Sequence, residues 1–281
     1  MDGPMRRPSL ADRVTSLEVF TGRDLAPGRP LIARLIGRRF DAILDGVGYA
    51  KPYDPSFGKN MVKTMSHLLT ALGCSFGFAE QTELSLFAIS GGGDARRLLS
   101  RISGEGAAKL SLLLGSVCTF ETRLYELPEL PIAVDYFRWR QREAHMRAID
   151  RYCIYILGQS GTEQEGAERV ISGLGPEEKI ELLRQHGFDF ANVPAWQRRG
   201  ASVALRAGSD GMGGGTDPRA RLIVDLNLPA DEEFGTYLRP LLGIPDPGAP
   251  ADGAQERRNE PIEPSEPTQS DDAGGAASRP A

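Results

Sequence analysis

The stretch that most constrains the fold of this chain is residues 73–87 (GCSFGFAEQTELSLF), an apolar segment with ionisable side chains in its middle. Read as one β-strand, it places most of its phenylalanine and leucine side chains on one face, because successive residues of a strand point to opposite faces. Glu80 and Thr82 then lie on that apolar face, and Glu83 points to the other one. A buried carboxylate costs free energy unless it is paired. The segment is therefore predicted either to carry chemistry or to be an edge strand with one hydrated face.

The C-terminal end differs in composition from the rest of the chain. Residues 245–281 contain seven prolines and one bulky aliphatic residue, Ile262, so they are predicted to form a disordered acidic tail. Removing the eight acidic and three basic residues of this tail from the totals of 38 and 33 leaves 30 of each in residues 1–244. The part predicted to fold is thus neutral, and the acidic net charge of the whole chain does not exclude a nucleic-acid partner.

Cysteine usage and hydropathy narrow the class of protein. The three cysteines are widely spaced and form no CxxC pair, which predicts neither a disulfide framework nor a zinc site. The sequence has no run of 18 apolar residues and no signal peptide pattern. We therefore expect a cytoplasmic protein that does not associate with a membrane.

The alternation of apolar segments predicts an α+β fold. Residues 31–35 form a predicted strand, and Gly37-Arg38-Arg39-Phe40 then turns into a helix, an arrangement that can cradle a phosphate group or can be a simple turn. Residues 54–72 form a predicted helix with Asp54 as its N-cap and Pro55 in its first position. The order of strands and helices favours a sandwich with helices on one face of an antiparallel or mixed sheet.

A long helix over residues 131–159 carries an unusual density of arginine and aromatic side chains. Arg140, Arg147 and Arg151 lie close to one face of it, and Trp139 is among the aromatic residues interleaved with them. Arginine binds phosphate through two hydrogen bonds, and aromatic rings stack on bases, so this helix is a candidate RNA-binding element. The alternative is a solvated arginine face with a buried aromatic side.

Several short motifs occur in one order along the chain, namely Asp135-Tyr136-Phe137-Arg138-Trp139-Arg140-Gln141, Ala144-His145, Tyr152-Cys153, and Trp196-Gln197-Arg198-Arg199-Gly200. With these motifs the chain resembles the tRNA-histidine guanylyltransferase family, in particular its bacterial guanylyltransferase-like branch. The resemblance extends from about residue 11 to residue 242.

The resemblance implies a palm-type polymerase fold with a ferredoxin-like sheet. Residues 1–130 would form the palm-like nucleotidyltransferase domain, and residues 131–244 would form a helical and strand part of the same fold. Family members add nucleotides to the 5′ end of tRNA, opposite in direction to ordinary polymerases, with Mg²⁺ and GTP or ATP. They usually assemble as tetramers, so the implied partners are tRNA and either further copies of this chain or an active paralogue.

The positions implied for the two metal ions have lost their aspartates. The family carries Asp-Gly-Arg at the end of its first strand, where this chain has Ile36-Gly37-Arg38. It carries Gln-Ser-Asp-Glu on the next strand, where this chain has Glu80-Gln81-Thr82-Glu83. Glu83 is thus a remnant of the catalytic motif, and Glu80 is the candidate for compensation, because it lies about 6.7 Å from Thr82 along the same face of a single strand. We expect no functional two-magnesium site at Ile36, Gly37 and Thr82.

Other positions of the family pattern are present in part. The resemblance implies that Gly37, Arg38, Arg39, Phe40 and Lys109 bind nucleotide, although Glu105 and Gly106 stand where the family has two arginines. It implies RNA contacts from a larger basic and polar set, which comprises Arg140, His145, Arg147, Lys179, Asn192, Arg198 and Arg199.

These features leave three hypotheses about function. The first is an active, magnesium-dependent tRNA 5′-nucleotidyltransferase with a rearranged metal site. The second, which we favour because the losses fall selectively on metal and triphosphate positions, is a non-catalytic homologue that binds tRNA or joins an active paralogue. The third is a diverged fold with an unrelated binding role.

Overall fold

The computed structural model describes residues 22–206 and 221–245, which lie within one compact unit of the chain; the predicted tail after Pro245 lies outside the described residues. The strands are β1 (Asp24–Leu25), β2 (Pro30–Gly37), β3 (Phe76–Glu80), β4 (Glu83–Ile89), β5 (Gly93–Asp94), β6 (Phe120–Glu126), β7 (Ala201–Arg206) and β8 (Arg221–Asp225). The α-helices are α1 (Phe40–Val47), α2 (Pro55–Leu72), α3 (Ala95–Leu114), α4 (Pro131–Gln159), α5 (Gln164–Ser172), α6 (Pro176–Gln185), α7 (Ala195–Arg199) and α8 (Asp231–Leu241), with a 3-10 turn at Phe190–Asn192.

The main sheet is antiparallel throughout and has the strand order β6-β2-β4-β3-β7-β8. A separate two-stranded sheet pairs β1 with β5. The predicted α+β class is confirmed. Among the residues that the structure describes, no helix has the length and apolar character needed to cross a membrane.

Residues 73–87 form a hairpin and not the single strand that their alternation predicted. Its two halves are β3 and β4, joined by Gln81 and Thr82, and Glu80 pairs directly with Glu83 across the turn. The chain reverses within two residues, so the alternation of faces starts again in β4. Glu83 consequently lies on the same face of the sheet as Glu80, and the predicted opposite orientation was wrong.

Helices cover both faces of this sheet. On one face, α2 and α3 pack over a core that includes Leu35, Met65, Leu68, Leu84 and Leu110. The predicted N-cap of α2 is confirmed, because Asp54 Oδ1 accepts hydrogen bonds from the amides of Ser56 at 2.7 Å and Phe57 at 3.2 Å.

The other face carries the first half of α4 together with α8. Phe76, Phe78, Phe137 and Phe234 form the centre of this second core, and the Phe76 and Phe137 ring centroids lie 4.9 Å apart. The second half of α4 extends further and packs with α5, α6 and α7. The first half of α4 and α8 thus cover the face that α2 and α3 leave free, while the proposed domain boundary at residue 130 stays a prediction.

Candidate functional site: an arginine–glutamate cluster beside a cavity

A cluster of five charged side chains lies between the β3–β4 hairpin and α4. We call Arg34, Glu80, Glu83, Arg140 and Arg147 the arginine–glutamate cluster. Glu83 Oε2 lies 2.7 Å from Arg34 Nη2 and 2.9 Å from Arg140 Nη2, and Glu83 Oε1 accepts from Arg147 Nη1 at 2.6 Å. Glu80 Oε2 accepts from Arg140 Nη2 at 3.1 Å and from Arg147 Nη1 at 2.9 Å. Three guanidinium groups thus enclose two carboxylates, and the carboxylate of Glu143, 3.6 Å from Arg147 Nη2, balances the third positive charge at the rim.

The secondary structure places each member of the cluster. The β2–β4 register sets Ile36 opposite Glu83 and Arg34 opposite Ser85, so Arg34 is the diagonal neighbour of Glu83. Arg140 and Arg147 are seven residues apart on α4 and therefore project from nearly the same side of the helix. The ring of Trp139 lies 5.2 Å from the Arg34 guanidinium and 5.5 Å from that of Arg140, which adds cation–π contacts to the ion pairs.

Burial makes this cluster a strongly coupled unit. Arg140 is fully buried, and Glu80, Glu83 and Arg34 are 3%, 5% and 8% exposed. The side chain of Arg147 is 33% exposed and so connects the cluster to solvent. Burial alone would raise the pKa of Glu83, but the neighbouring guanidinium groups outweigh it and hold that pKa below its ordinary value.

The residues at the positions implied for magnesium do not fit that ion. Magnesium requires oxygen ligands in octahedral geometry, and neither Ile36 nor Thr82 supplies a carboxylate. The carboxylate of Glu83 already accepts from three guanidinium groups, whose charge repels a divalent cation. Glu80, expected as a replacement ligand, is instead paired with Arg140 and Arg147. Within residues 22–206 and 221–245, no group of three or more His, Cys, Asp or Glu side chains is arranged to hold a metal ion.

A cavity of about 670 Å³ opens beside the cluster, between α1, residues 49–54, the hairpin turn and α4. Its charged lining residues are Asp41, Asp45, Lys51, Asp54, Arg147, Asp150, Arg151 and Glu168. The basic side chains in this lining are matched with acidic ones: Lys51 Nζ lies 2.8 Å from Asp45, and Arg151 Nη1 lies 3.5 Å from Asp41. The lining therefore carries more acidic than basic groups.

Two buried polar atoms near this cavity have no hydrogen-bond partner within the described residues. One is the Tyr53 hydroxyl, whose pKa burial raises, and the other is Oε1 of Gln81, a residue that lines the cavity. The Gln81 amide nitrogen donates to the carbonyl oxygen of Pro52 at 3.1 Å. Unpaired buried polar atoms are costly, so Oε1 of the lining residue Gln81 marks its part of the cavity as a place for a hydrogen-bonding ligand or water.

The backbone expected to cradle phosphate is already engaged. The amide of Gly37 donates to the carbonyl oxygen of Thr82 at 2.9 Å, and the amide of Arg38 donates to that of Thr119 at 3.0 Å. A Cβ atom at Gly37 would come within 2.7 Å of the Thr82 oxygen, so glycine is required here by close packing of backbone. The amides of Gly37 and Arg38 are therefore not free to bind phosphate, while a phosphate contact at the amides of Arg39 and Phe40 stays a prediction.

The other side chains predicted to bind nucleotide are dispersed. Phe40 is 3% exposed and packs in the core against Phe57 and Phe120, so it cannot contact a ligand. Arg38 and Arg39 line a second, shallow groove of about 580 Å³ together with Val47 and Val117, and Lys109 is half-buried on α3. Arg39 has φ of 55°, a left-handed conformation that is uncommon for a residue with a side chain.

The predicted RNA-binding residues divide into two groups. Arg140 is fully buried in the cluster, and Lys179 is 8% exposed with its Nζ 2.7 Å from Asp150 Oδ1. Neither has a cation free for phosphate, so their assignment to an RNA-binding surface is corrected. His145 lies against the ring of Phe190, and burial together with the nearby charge of Arg198 lowers its pKa.

The second group lies around the contact between α4 and α7. Arg198 Nε donates to the carbonyl oxygen of Val193 at 2.7 Å, and the charge of Arg199, like that of Arg198, acts on His145. Asn192 Nδ2 donates to Asp189 Oδ2 at 3.1 Å. The structure thus brings His145, Arg198 and Arg199 together and separates them from the buried arginines.

Sequence reasoning did not identify the acidic hairpin and the basic helix as partners. The signal was present in two features that were interpreted separately. Two glutamates stand in an apolar segment, and two arginines stand seven residues apart on a helix with an apolar side. Because buried charges require opposite charges, the two features together predict the pairing that each alone leaves open.

Comparisons with known proteins identify the fold. No family model matches the sequence. A relative described as the uncharacterized protein R259 of Acanthamoeba polyphaga mimivirus is 22% identical over 233 residues, which cover 69% of this chain and 76% of that protein.

Solved structures give a closer comparison at the level of the backbone. A bacterial tRNA(His) guanylyltransferase (Thg1)-like protein in complex with ATP has a TM-score of 0.67 at 19% identity, over 83% of this chain and 99% of that chain. A bacterial protein of the same description in complex with GTP gives 0.63 at 19% identity, over 84% and 99%. The tRNA(His) guanylyltransferase of Saccharomyces cerevisiae gives 0.61 at 20% identity, over 68% and 91%. The chain therefore has the fold of the tRNA(His) guanylyltransferase-like proteins, as the resemblance implied.

Proposed function

We propose that this chain is a tRNA-binding homologue of the 5′-end guanylyltransferases that has lost two-metal catalysis and acts in the cytoplasm. The observation that carries the proposal is the arginine–glutamate cluster, in which Glu80 and Glu83 are paired with arginines beside Ile36 and Thr82. Nucleotidyl transfer by two metal ions requires carboxylates with free oxygens facing the reacting groups. Here both oxygens of Glu83 and Oε2 of Glu80 are paired with guanidinium groups, and the remaining oxygen, Oε1 of Glu80, is buried.

The cluster has a structural role in this proposal. Arg34 on β2 and the arginines of α4 bind the same hairpin carboxylates, so they join three elements that are far apart in sequence. The positive charge beside the hairpin therefore comes from guanidinium groups, which are part of the chain itself. No step of nucleotide addition is assigned to any of these residues.

Nucleotide binding belongs to the proposal in a reduced form. The bacterial structures in complex with ATP and GTP support a purine nucleotide as a ligand of this fold. Because the amides of Gly37 and Arg38 are engaged, the side chains of Arg38, Arg39 and Lys109 are the proposed contacts. A magnesium ion is not part of the proposed complex.

The proposed RNA-binding surface consists of His145, Asn192, Arg198 and Arg199, with the exposed side of Arg147 at its border. Arginines at the end of a short helix provide hydrogen bonds to phosphate, and the tRNA(His) guanylyltransferase structures support tRNA as the partner. We propose that the chain acts as a homo-oligomer or in an oligomer with an active paralogue.

The second candidate is an active magnesium-dependent tRNA 5′-nucleotidyltransferase with a rearranged metal site. What favours it is the extent of the similarity, since the match covers 99% of the bacterial protein in complex with ATP. A single assay separates the two candidates: purified chain is incubated with tRNA, labelled GTP or ATP and Mg²⁺, and nucleotide addition to the 5′ end is measured. Addition above a no-enzyme control would establish the second candidate and overturn the first.

Binding of tRNA is tested in the presence of EDTA by gel shift over a range of salt concentrations. We expect binding without magnesium, and the logarithm of the binding constant should fall linearly with the logarithm of the salt concentration. The double variant Arg198→Ala with Arg199→Ala should weaken binding and reduce the slope. The matched control removes two exposed arginines from α3, Arg97→Ala with Arg101→Ala. Absence of binding by the unaltered chain, or equal loss in both double variants, contradicts the RNA-binding proposal.

A further inference from the structure

Strand β8 forms an exposed apolar edge of the main sheet. Within the described residues its neighbour in the sheet is β7, on one side. Leu222, Ile223 and Val224 are 39%, 43% and 46% exposed, and Leu226 just beyond the strand is 46% exposed. Soluble proteins commonly protect such an edge with lysine, proline or a bulge, because its unpaired amides and carbonyls can pair with another strand. The sequence Arg-Leu-Ile-Val-Asp of β8 contains no lysine and no proline.

This strand is complementary to itself in the antiparallel direction. If two copies of β8 pair around a two-fold axis at Ile223, Arg221 stands opposite Asp225 of the partner subunit. The same register places Leu222 opposite Val224 of the partner subunit and sets the two Ile223 residues opposite each other. Closed two-fold dimers require this kind of self-complementary surface.

The side-chain directions support the same register. Val224 pairs with Val203, a core residue on the α2 side of the sheet, and Leu222 points to that same side by alternation. Ile223 pairs with Ala204, whose side chain belongs to the core on the α4 and α8 side. Pairing of two copies would therefore assemble four aliphatic side chains on one side of the joint. On the other side, two isoleucines would lie between two arginine–aspartate pairs.

We propose that a second copy of this chain pairs its β8 with β8, so that two six-stranded sheets become one continuous sheet. The partner strand is a second copy of β8 because Arg221 and Asp225, at the two ends of the strand, stand opposite each other in this register alone. This pairing would be the interface of the homo-oligomer proposed above. Its test does not depend on RNA binding, because the quantity measured is the mass of the free protein.

The test is sedimentation velocity of the full chain over a range of micromolar concentrations. We expect the unaltered chain to form a dimer or a multiple of it. Arg221→Asp places two aspartates opposite each other at both ends of the joint and should raise the dimer dissociation constant about tenfold or more. Val170→Lys, which adds a charge at a 48% exposed position of α5, is the matched control and should leave the mass unchanged.

A complementary pair of variants tests the register itself. Leu222→Glu and Val224→Lys should each weaken self-association, because a charge then faces an aliphatic side chain of the partner. A mixture of the two should form a heterodimer, since one joint pairs the new glutamate with the new lysine and the other retains the original pair. Circular dichroism confirms that each variant is folded. A monomeric unaltered chain, an oligomer whose mass no β8 variant changes, or folded variants whose mixture fails to associate would each overturn the proposal.

Discussion

The substitution Glu83→Gln tests the cluster most directly. It removes one negative charge from a site where Arg34, Arg140 and Arg147 all bind the carboxylate, and it leaves a neutral amide of almost the same volume. Breaking a buried ion pair by removing one partner costs about 3–5 kcal/mol, because the remaining charge stays buried without compensation.

The magnitude for this site lies at the lower end of that range. Arg140 keeps Glu80 as a partner at 3.1 Å, and Arg147, with a third of its side chain exposed, can turn toward solvent. Arg34 contributes most of the expected destabilisation, because its side chain is only 10% exposed and it loses its ion pair with Glu83. We therefore expect a loss of about 3 kcal/mol in the free energy of unfolding. For a chain of this size that corresponds to a decrease in Tm of roughly 6–12 °C.

The assay is urea denaturation followed by circular dichroism, together with calorimetry, for the unaltered chain and the variant. The matched control is Glu121→Gln, because Glu121 also contacts two arginines, Arg38 and Arg123, but its side chain is 41% exposed. An exposed pair is screened by solvent, so the control should lose less than about 1 kcal/mol. Equal stability of Glu83→Gln and the unaltered chain at the same m-value would refute the reasoning.

The pH dependence of the same pair of proteins follows from the depressed pKa of Glu83. Since the folded pKa is lower than the unfolded one, the stabilisation by this carboxylate is complete above the ordinary value of 4.5 and is lost as pH falls through the folded pKa. The difference in stability between the unaltered chain and Glu83→Gln should therefore be constant from neutral pH to about 4.5 and decrease below it. A difference that grows in acid would contradict the assigned charge of Glu83.

Three further outcomes are expected. The unaltered chain should not bind Mn²⁺, as measured by electron paramagnetic resonance. The triple variant Ile36→Asp, Thr82→Asp and Arg147→Asn should gain a site, because two carboxylates are added and one guanidinium is removed. Binding of Mn²⁺ by the unaltered chain would contradict the proposed loss of the metal site. The lowered pKa of His145 means that the unfolded chain takes up its proton first, so Tm should fall as pH drops below about 6.5, and His145→Gln should reduce that dependence. Burial raises the pKa of Cys74 to about 12, so a thiol reagent at mild alkaline pH should modify it only after unfolding, and rapid modification of the native protein would contradict its burial.

Local sequence signals predicted much of the fold. The cap at Asp54, the proline after it and the apolar stripe of the following residues place α2 correctly, and α4 has the predicted bounds of residues 131–159. These features depend on neighbours within a few residues, which is the range over which capping and amphipathic periodicity act.

The reversal of the chain between β3 and β4 was not predicted because the two turn residues carry no recognisable turn signal. Gln81 and Thr82 are not among the residues that favour two-residue turns, such as glycine and asparagine. An alternating pattern fits one long strand as well as two short ones. The reversal is favoured by tertiary contacts instead, since it brings Glu80 and Glu83 together against the arginines of α4.

The arginine–glutamate cluster could not be predicted from local sequence signals either, because its members are far apart in sequence. Arg34 and Glu83 are 49 residues apart, and Glu83 and Arg147 are 64 apart. The family resemblance pointed to the end of the first strand and to the acidic motif, where Ile36 and Thr82 stand at the positions implied for the family's aspartates. It did not predict the pairing of Glu83 with Arg34, Arg140 and Arg147, because this pairing is a contact between elements distant in sequence.

The charge balance of the cluster has a consequence for how the sequence can evolve. A single change toward a metal site, such as an aspartate at position 36, adds a charge beside groups that are already paired, and removal of one arginine leaves a buried carboxylate without its full complement. We expect either single change to destabilise the protein, so the effects of substitutions at the five positions should be coupled. The paired arginines therefore make the gain of a metal site at positions 36 and 82 depend on several simultaneous substitutions.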